Sequence, residues 1–204
     1  MRPSVDFFFE FASTYSYVAA MRVGALGDAA GVQVRWRPFL LGPIFRAQGF
    51  DNSPFNLQPA KGRYMWRDLA RICARHELPF RRPDPFPQPS LLAARVAHVG
   101  VDEGWGEAFC RAVFAAEFGE GRQIGEEAVV HALLAGLGVA PEPALARARS
   151  DAIKERLRST TAEAERLGIF GAPSFVTADG ELFWGHDRMA EALAWAVRPA
   201  GPRA

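Results

Sequence analysis

A serine stands where an alternating apolar run gives way to a helical pattern, in Val5-Asp6-Phe7-Phe8-Phe9-Glu10-Phe11-Ala12-Ser13-Thr14-Tyr15-Ser16-Tyr17. A strand that stops at Ser13 before a helix places its hydroxyl at a helix N-terminus. The unpaired N–H groups of a first helical turn and the helix dipole favour negative charge there by roughly 0.3–1 kcal/mol. Such a site holds an oxyanion or a thiolate; equally, Ser is among the preferred residues for an ordinary N-cap. A second feature lies far along the chain at Ala172-Pro173, directly before an apolar stretch. A cis bond there would turn the backbone of Ala172 toward the first helix, whereas a trans proline at a strand start would be unremarkable.

Other chemistry is thinly represented. Cys73 and Cys110 lie in separate helical patterns with neither a C-x-x-C nor a zinc spacing, which suits buried thiols. His76, His98, His131 and His186 show no ligand spacing, so no metal is expected. The 204 residues carry a formal net charge of +1 with 49% hydrophobic and 23% charged residues, enough for a real core. That balance, without a basic tract, argues against a nucleic-acid partner. Apolar runs too short for a bilayer argue against a membrane partner. With no signal peptide in Met1-Arg2-Pro3-Ser4, the expected location is cytoplasmic.

The elements that must position Ser13 are legible at both ends. Val5, Phe7, Phe9 and Phe11 share one face and Phe8 adds to the other, which predicts a central strand covered on both sides. A helix over 15–30 ends near Gly31, and residues 32–37 alternate as a second strand stopped by Pro38, giving a right-handed β-α-β unit. Toward the other end, 174–177 and 181–184 flank an Asp179-Gly180 hairpin turn. Asp187 is the expected N-cap of a last helix with Met189, Ala190, Leu193 and Val197 inward, and 198–204 reads as a frayed tail. Between the ends, helical periods occupy 62–77, 90–99, 107–118, 126–137 and 150–167, broken by long loops at 42–60 and 79–89. The fold class is therefore α/β, thioredoxin-like (β-α-β plus β-β-α), with an inserted all-helical subdomain. The expected division is a thioredoxin-like domain of residues 1–39 and 169–204 and an inserted helical subdomain of residues 40–168.

In a redox thioredoxin the start of the first helix carries C-x-x-C; here it reads Ser13-Thr14-Tyr15-Ser16. Dithiol exchange needs two sulfurs, so ordinary disulfide chemistry is excluded at that position. A serine there suits a site that stabilises a thiolate belonging to another molecule.

Three segments carry a resemblance over residues 4–197: residues 9–17; Asn52-Ser53-Pro54 leading to Pro59-Ala60-Lys61-Gly62-Arg63-Tyr64-Met65; and Gly168-Ile169-Phe170-Gly171-Ala172-Pro173-Ser174-Phe175 with Phe183-Trp184-Gly185-His186-Asp187-Arg188. In these the chain resembles the glutathione-dependent 2-hydroxychromene-2-carboxylate isomerases, relatives of kappa-class glutathione transferases in the DsbA-like thioredoxin superfamily. The resemblance implies glutathione as cofactor, with Ser13 at its sulfur and Asn52 and Lys61 at its glycyl side. It further implies Ala172, beside cis Pro173, pairing with the cysteinyl backbone like an added strand. Asp187 would hold the γ-glutamyl end, while Arg188 either joins it or makes a structural ion pair. The chain departs from the family's pattern at Thr14, commonly Pro, and at His186, commonly Asn, Gln or Ser.

The implied reaction interconverts a cyclic hemiketal and trans-o-hydroxybenzylidenepyruvate, a step in naphthalene breakdown, by reversible addition of thiolate to a conjugated alkene. A planar aromatic keto acid calls for an apolar slot and a cation. Phe45, Phe55, Trp66 and Trp184 are candidate walls, and Arg46 or Arg63 the candidate charge; core packing and solvated faces are the competing assignments. Two other activities share the glutathione half: a kappa-like transferase that leaves the thiolate attached to an electrophile, and a non-catalytic glutathione- or peptide-binding module. The family also suggests a homodimer.

Overall fold

The structure, a computed structural model, describes residues 2–50 and 53–198. Alternation of Val5, Phe7 and Phe9 produces strand β1 (Ser4–Phe9), followed by α1 (Thr14–Ala29) and β2 (Gln33–Pro38). Helices follow at α2 (Leu41–Ala47), α3 (Pro54–Leu57), α4 (Pro59–Arg75), α5 (Leu91–Glu103) and α6 (Gly106–Phe114), the last running into a π-helical turn, Ala115–Gly119. After α7 (Glu127–Gly136), α8 (Pro141–Ala148) and α9 (Asp151–Arg166), the chain returns to β3 (Ser174–Thr177) and β4 (Leu182–Trp184). A short 3-10 turn, His186–Arg188, then leads into α10 (Met189–Val197).

The sheet order is β2-β1-β3-β4, with β1 parallel to β2 and antiparallel to β3. The two chain ends thus meet on the central strand, as its two-sided apolar pattern requires. On one face Val5, Phe7, Phe9 and Phe11 pack with Tyr17 and Val18 of α1, Phe109 and Phe114 of α6, and Leu193 of α10. Phe7 stacks on its cross-strand partner Phe175 with centroids 5.2 Å apart and meets the edge of Trp36 at 5.1 Å. On the other face Phe8 packs with Phe39, Ile44 of α2, Ala164 of α9, and Ile169.

Several expectations need correction. The stretch 42–60 is not one long loop: α2 and α3 form within it, and α8 is a further helix the periodicity did not show. α3, α4 and α8 each begin on a proline, and α2 has only seven residues. A proline there loses nothing, because its missing N–H would be unpaired anyway. Asp187 is not the N-cap of the last helix; it lies inside the 3-10 turn, and α10 starts at Met189. The buried stripe is Met189, Ala192 and Leu193, the i, i+3 and i+4 positions of one helical face, and Ala190 and Val197 are exposed. The Asp179-Gly180 turn forms as expected, with Gly180 at φ 89°. There Asp179 accepts from the Thr177 hydroxyl, and this bond, with those from Trp195 and Arg198, pulls its carboxyl down to about 2.

Candidate functional site

Ser13 has extended backbone angles, φ −102° and ψ 116°, and is the N-cap of α1. Its N–H donates to the Glu10 carbonyl at 3.0 Å, closing the corner between β1 and α1. The hydroxyl accepts the Ser16 N–H at 3.3 Å and donates to the Ala172 carbonyl at 3.0 Å. Ser13 is therefore both a cap and a bridge to the opposite end of the chain. The first turn of α1 contains no acidic side chain, so the positive end of its dipole is not offset there by the helix's own residues.

The Ala172-Pro173 peptide bond is cis. The Pro173 carbonyl accepts the Gly185 N–H at 2.9 Å, which ties this corner to the β4–α10 connection. Gly171 lies against Trp184 so closely that a Cβ would come within 2.5 Å of the indole nitrogen. Phe170 and Trp184, 46% and 52% exposed, face each other at 4.9 Å. A solvent-facing aromatic pair thus adjoins the residue that receives the Ser13 hydrogen bond.

Tyr15, two residues past Ser13, links the remaining parts. Its ring stacks on His186 at 5.4 Å and lies 6.4 Å from Phe55, while its hydroxyl donates to Asp68 of α4 at 3.0 Å. Burial, then Asp68, pushes the Tyr15 hydroxyl above its usual range, so it remains a proton donor. Lys61 holds its ammonium 5.6 Å from the centre of the Phe55 ring. Gly62 is fixed by sterics: a Cβ would come within 2.4 Å of the Phe55 carbonyl oxygen.

The sequence-derived residues therefore divide. Ser13 bonds to Ala172 beside cis Pro173, Trp184 packs on the neighbouring Gly171, and Lys61 lies over Phe55, whose ring neighbours Tyr15 of α1. Asp187 and Arg188 are exposed on the adjoining 3-10 turn, where Arg188 lies 3.9 Å from Asp187 and 3.6 Å from Glu191. Phe45 packs in the same small cluster as Ala172. Arg46 and Arg63 are exposed on α2 and α4. Asn52 lies outside the described residues.

The Trp66 ring meets Phe86 and Phe80 of the proline-rich segment and lies beneath Arg82. The reason is the amphipathic register of α4, which buries Met65 and Leu69 and turns Trp66 toward residues 79–89. Sequence reasoning gave no role to Tyr15, Asp68 or Phe170. Tyr15's place two residues after Ser13 was the available signal. His186 is not a free surface group: it is half-buried against Tyr15, and burial, ahead of the surrounding charges, lowers its basicity. Among the described residues no cluster of His, Cys, Asp or Glu is arranged to hold a metal ion, and no helix is long and apolar enough to cross a membrane.

Residues 4–194 match the DSBA-like thioredoxin domain. Among curated proteins, the chain is 28% identical over 190 residues to a 2-hydroxychromene-2-carboxylate isomerase of Sphingobium xenophagum, covering 93% of this chain and 95% of the relative. It is 27% identical over 199 residues to glutathione S-transferase kappa 1 of Homo sapiens, covering 91% and 87%. A solved 2-hydroxychromene-2-carboxylate isomerase superposes with a TM-score of 0.85 at 26% identity over 94% of this chain and 93% of that one. A match from the first strand to the last helix, on the sheet order and corner just described, makes this chain a member of the DSBA-like thioredoxin family.

Proposed function

We propose that the chain is a glutathione-dependent cis/trans isomerase of 2-hydroxychromene-2-carboxylate type substrates. The observation that carries this reading is the Ser13 hydroxyl, held at the start of α1 and aimed at the Ala172 carbonyl across the chain ends. Similarity over nine-tenths of the chain to named isomerases supports the substrate class.

The residues present fit glutathione. Ser13 has one proton to give and gives it to Ala172; turned toward a bound sulfur, it frees the Ala172 carbonyl to accept the tripeptide's cysteinyl N–H. One internal hydrogen bond is thus exchanged for two to the ligand. The α1 terminus lowers the thiol's pKa by the same field that activates cysteines at helix starts. Lys61, above Phe55, is suited to the glycyl carboxylate together with Asn52, and Asp187 to the γ-glutamyl ammonium, with Arg188 beside it in an ion pair. Glutathione, held by these residues, would supply a thiolate for reversible addition to a conjugated alkene. Phe55, Trp184 and Phe45 offer apolar walls for a planar keto acid, and Arg46 or Arg63 a cation for its carboxylate.

Similarity to the human kappa-class enzyme favours a second reading, a transferase in which the thiolate stays on the electrophile. Two free, buried cysteines suit a reducing, cytoplasmic location. A homodimer is proposed from the family resemblance. The deciding assay is anaerobic turnover of 2-hydroxychromene-2-carboxylate with and without glutathione, for wild type and Ser13→Ala. Trans keto acid formed only with glutathione, and largely lost in the variant, supports the isomerase. Conjugation of an aryl halide without isomerisation transfers the reading to the transferase, and glutathione binding without either activity to a binding module.

A further inference from the structure

In the order β2-β1-β3-β4, β4 is the edge that carries Trp184 and β2 is the opposite edge. Hydrogen-bond parity fixes which backbone groups of β2 are left over. The Gln33 N–H reaches the Pro3 carbonyl and the Phe39 N–H the Phe9 carbonyl, so the odd-numbered residues turn their backbone groups toward β1. The even-numbered residues turn theirs outward, because direction alternates along a strand. Both ends of this outward row are closed. The Val32 carbonyl accepts from the Arg2 guanidinium at 3.2 Å, and the Pro38 carbonyl accepts from His98 Nε2 at 3.0 Å; Pro38 has no N–H to offer. Between these closures the N–H and C=O groups of Val34 and Trp36 make no hydrogen bond with any described residue.

Residues 33–37 of this edge line a cleft of about 660 Å³ that separates β2 from α5, the start of α6, and α9. A smaller hollow of about 150 Å³ continues along the strand past Gln33 and Val34 to Arg2 and Asp28. The two faces of β2 give the cleft unlike walls. Trp36 packs on Phe7 and Phe9 in the core shared with α5 and α6, and on this side the lining is Gly100, Val101 and Gly106, all small or apolar. Glu107, 3.9 Å from Arg111, follows them at the start of α6. On the other side Arg35 and Arg37 meet Arg156 and Thr160 of α9. Arg35 and Arg37 share Asp6, Arg37 also pairs with Glu163, and Arg156 pairs with Asp102. Those carboxylates stand behind the arginines rather than in the lining, so the cleft presents guanidinium groups.

We propose that the cleft along β2 binds an extended acidic peptide segment of another protein, which joins the sheet through the unpaired backbone groups of Val34 and Trp36 as a fifth strand. Donor and acceptor groups repeated at strand spacing call for a partner with the same repeat, and a peptide main chain has it. At about 3.3 Å per residue the row from Val32 to Pro38 is about 20 Å long, room for five or six paired residues. A free edge ordinarily invites any other edge; here helices stand on both sides of it, which admits a single extended segment rather than a folded sheet flanked by its own helices. Alternate side chains of the added strand would meet the Gly100 and Val101 wall and the Arg35, Arg37 and Arg156 wall. Small apolar residues alternating with carboxylates fit both. The site lies across the sheet from Trp184 and is independent of the glutathione reading.

The test uses the full chain and the end-capped peptide Val-Glu-Val-Glu-Val-Glu, with amide hydrogen exchange followed by NMR. Peptide should slow exchange at Val34 and Trp36 by about tenfold or more, while Arg35 and Arg37, already bonded to β1, change little. N-methylation of the valine amides or of the glutamate amides should abolish binding, but only one of the two sets, because alternate amides of a strand face its neighbour. Lysine in place of the glutamates, or Arg156→Gln in the protein, should weaken binding about tenfold. Val34→Pro removes an outward N–H and leaves the β1 ladder intact; it should abolish peptide binding and leave turnover at Ser13 unchanged. If that variant does not fold, the methylated peptides decide the matter on the wild-type chain. No binding at millimolar peptide, no new protection at Val34 and Trp36, equal effects of the two methylated sets, or equal binding of the lysine peptide would each overturn the proposal. So would Val34 and Trp36 amides that are protected in the free protein and lose protection on dilution, which would identify the occupant as a second copy of the chain.

Discussion

Replacing Ser13 with alanine separates its two roles by magnitude. In the ligand-free protein the change removes a cap bond of 3.3 Å and a bridge of 3.0 Å to Ala172. The long cap bond belongs at the weak end of the usual range, about 0.5–1 kcal/mol, and a neutral bridge adds about 1 kcal/mol, so the fold loses about 1.5–2 kcal/mol. With a thiolate bound, the hydroxyl's hydrogen bond goes to a charged group and contributes about 1.5–3 kcal/mol, which raises the thiol pKa by about 1–2 units when it is lost. Below that pKa the thiolate fraction, and with it the rate of addition, falls roughly 10- to 100-fold. Denaturant melts measure the first figure and ultraviolet titration of bound glutathione the second. A Ser13→Ala protein with normal stability and an unshifted thiol pKa would refute the reasoning, because the helix terminus would then hold the sulfur without its hydroxyl.

Four further outcomes are expected. Ser13→Cys places a single thiol at the same terminus; its pKa should lie below the ordinary value of about 8.5, and it should form a mixed disulfide with oxidised glutathione, both measurable by thiolate absorbance and mass spectrometry. His98, buried and bonded through its ring to the Pro38 carbonyl, has its basicity lowered to about 4 by burial. It is therefore neutral when folded: stability is full above pH 6.5 and declines by about 3 kcal/mol as pH falls toward 4, a slope that His98→Gln should flatten in pH-dependent melts. Phe7→Ala removes a ring packed on Phe9, Trp36 and Phe175 and should cost about 3–5 kcal/mol in chemical denaturation. Burial pushes Cys73 up to about 11 and raises Cys110 well above the ordinary thiol value, so neither should react with thiol reagents at pH 8 until the chain unfolds.

What the sequence could disclose follows from where periodicity is strong. β1 was legible because phenylalanines occupy both of its faces, and α1, β2, β3 and β4 followed from their spacing and turn residues. Ser13 and Ala172 were placed together because a proline before the third strand of this topology faces the first helix, and their hydrogen bond bears out that geometry. Helices α2, α3 and α8 were hidden by length and by prolines that begin helices as readily as they end them. Side-chain direction was the weaker inference. Trp66 follows α4's own packing toward Phe86, and Tyr15 acquires its role only through Asp68 and His186, which come from two distant elements.

The bond between Ser13 and Ala172 spans 159 positions, which makes the site a late event in the life of the chain. At ribosomal speeds of about 5–20 residues per second, the serine waits roughly 8–30 s before its acceptor is made. Through that interval β2 can pair with β1 on one side only, and the other edge, where Phe7 will meet Phe175, has no strand to receive. A nascent or prematurely ended chain therefore presents a phenylalanine-rich open edge of the kind that invites wrong pairing. Completion of the C-terminal hairpin closes the edge and assembles the site in one step, so a chain too short to react is also one too exposed to persist.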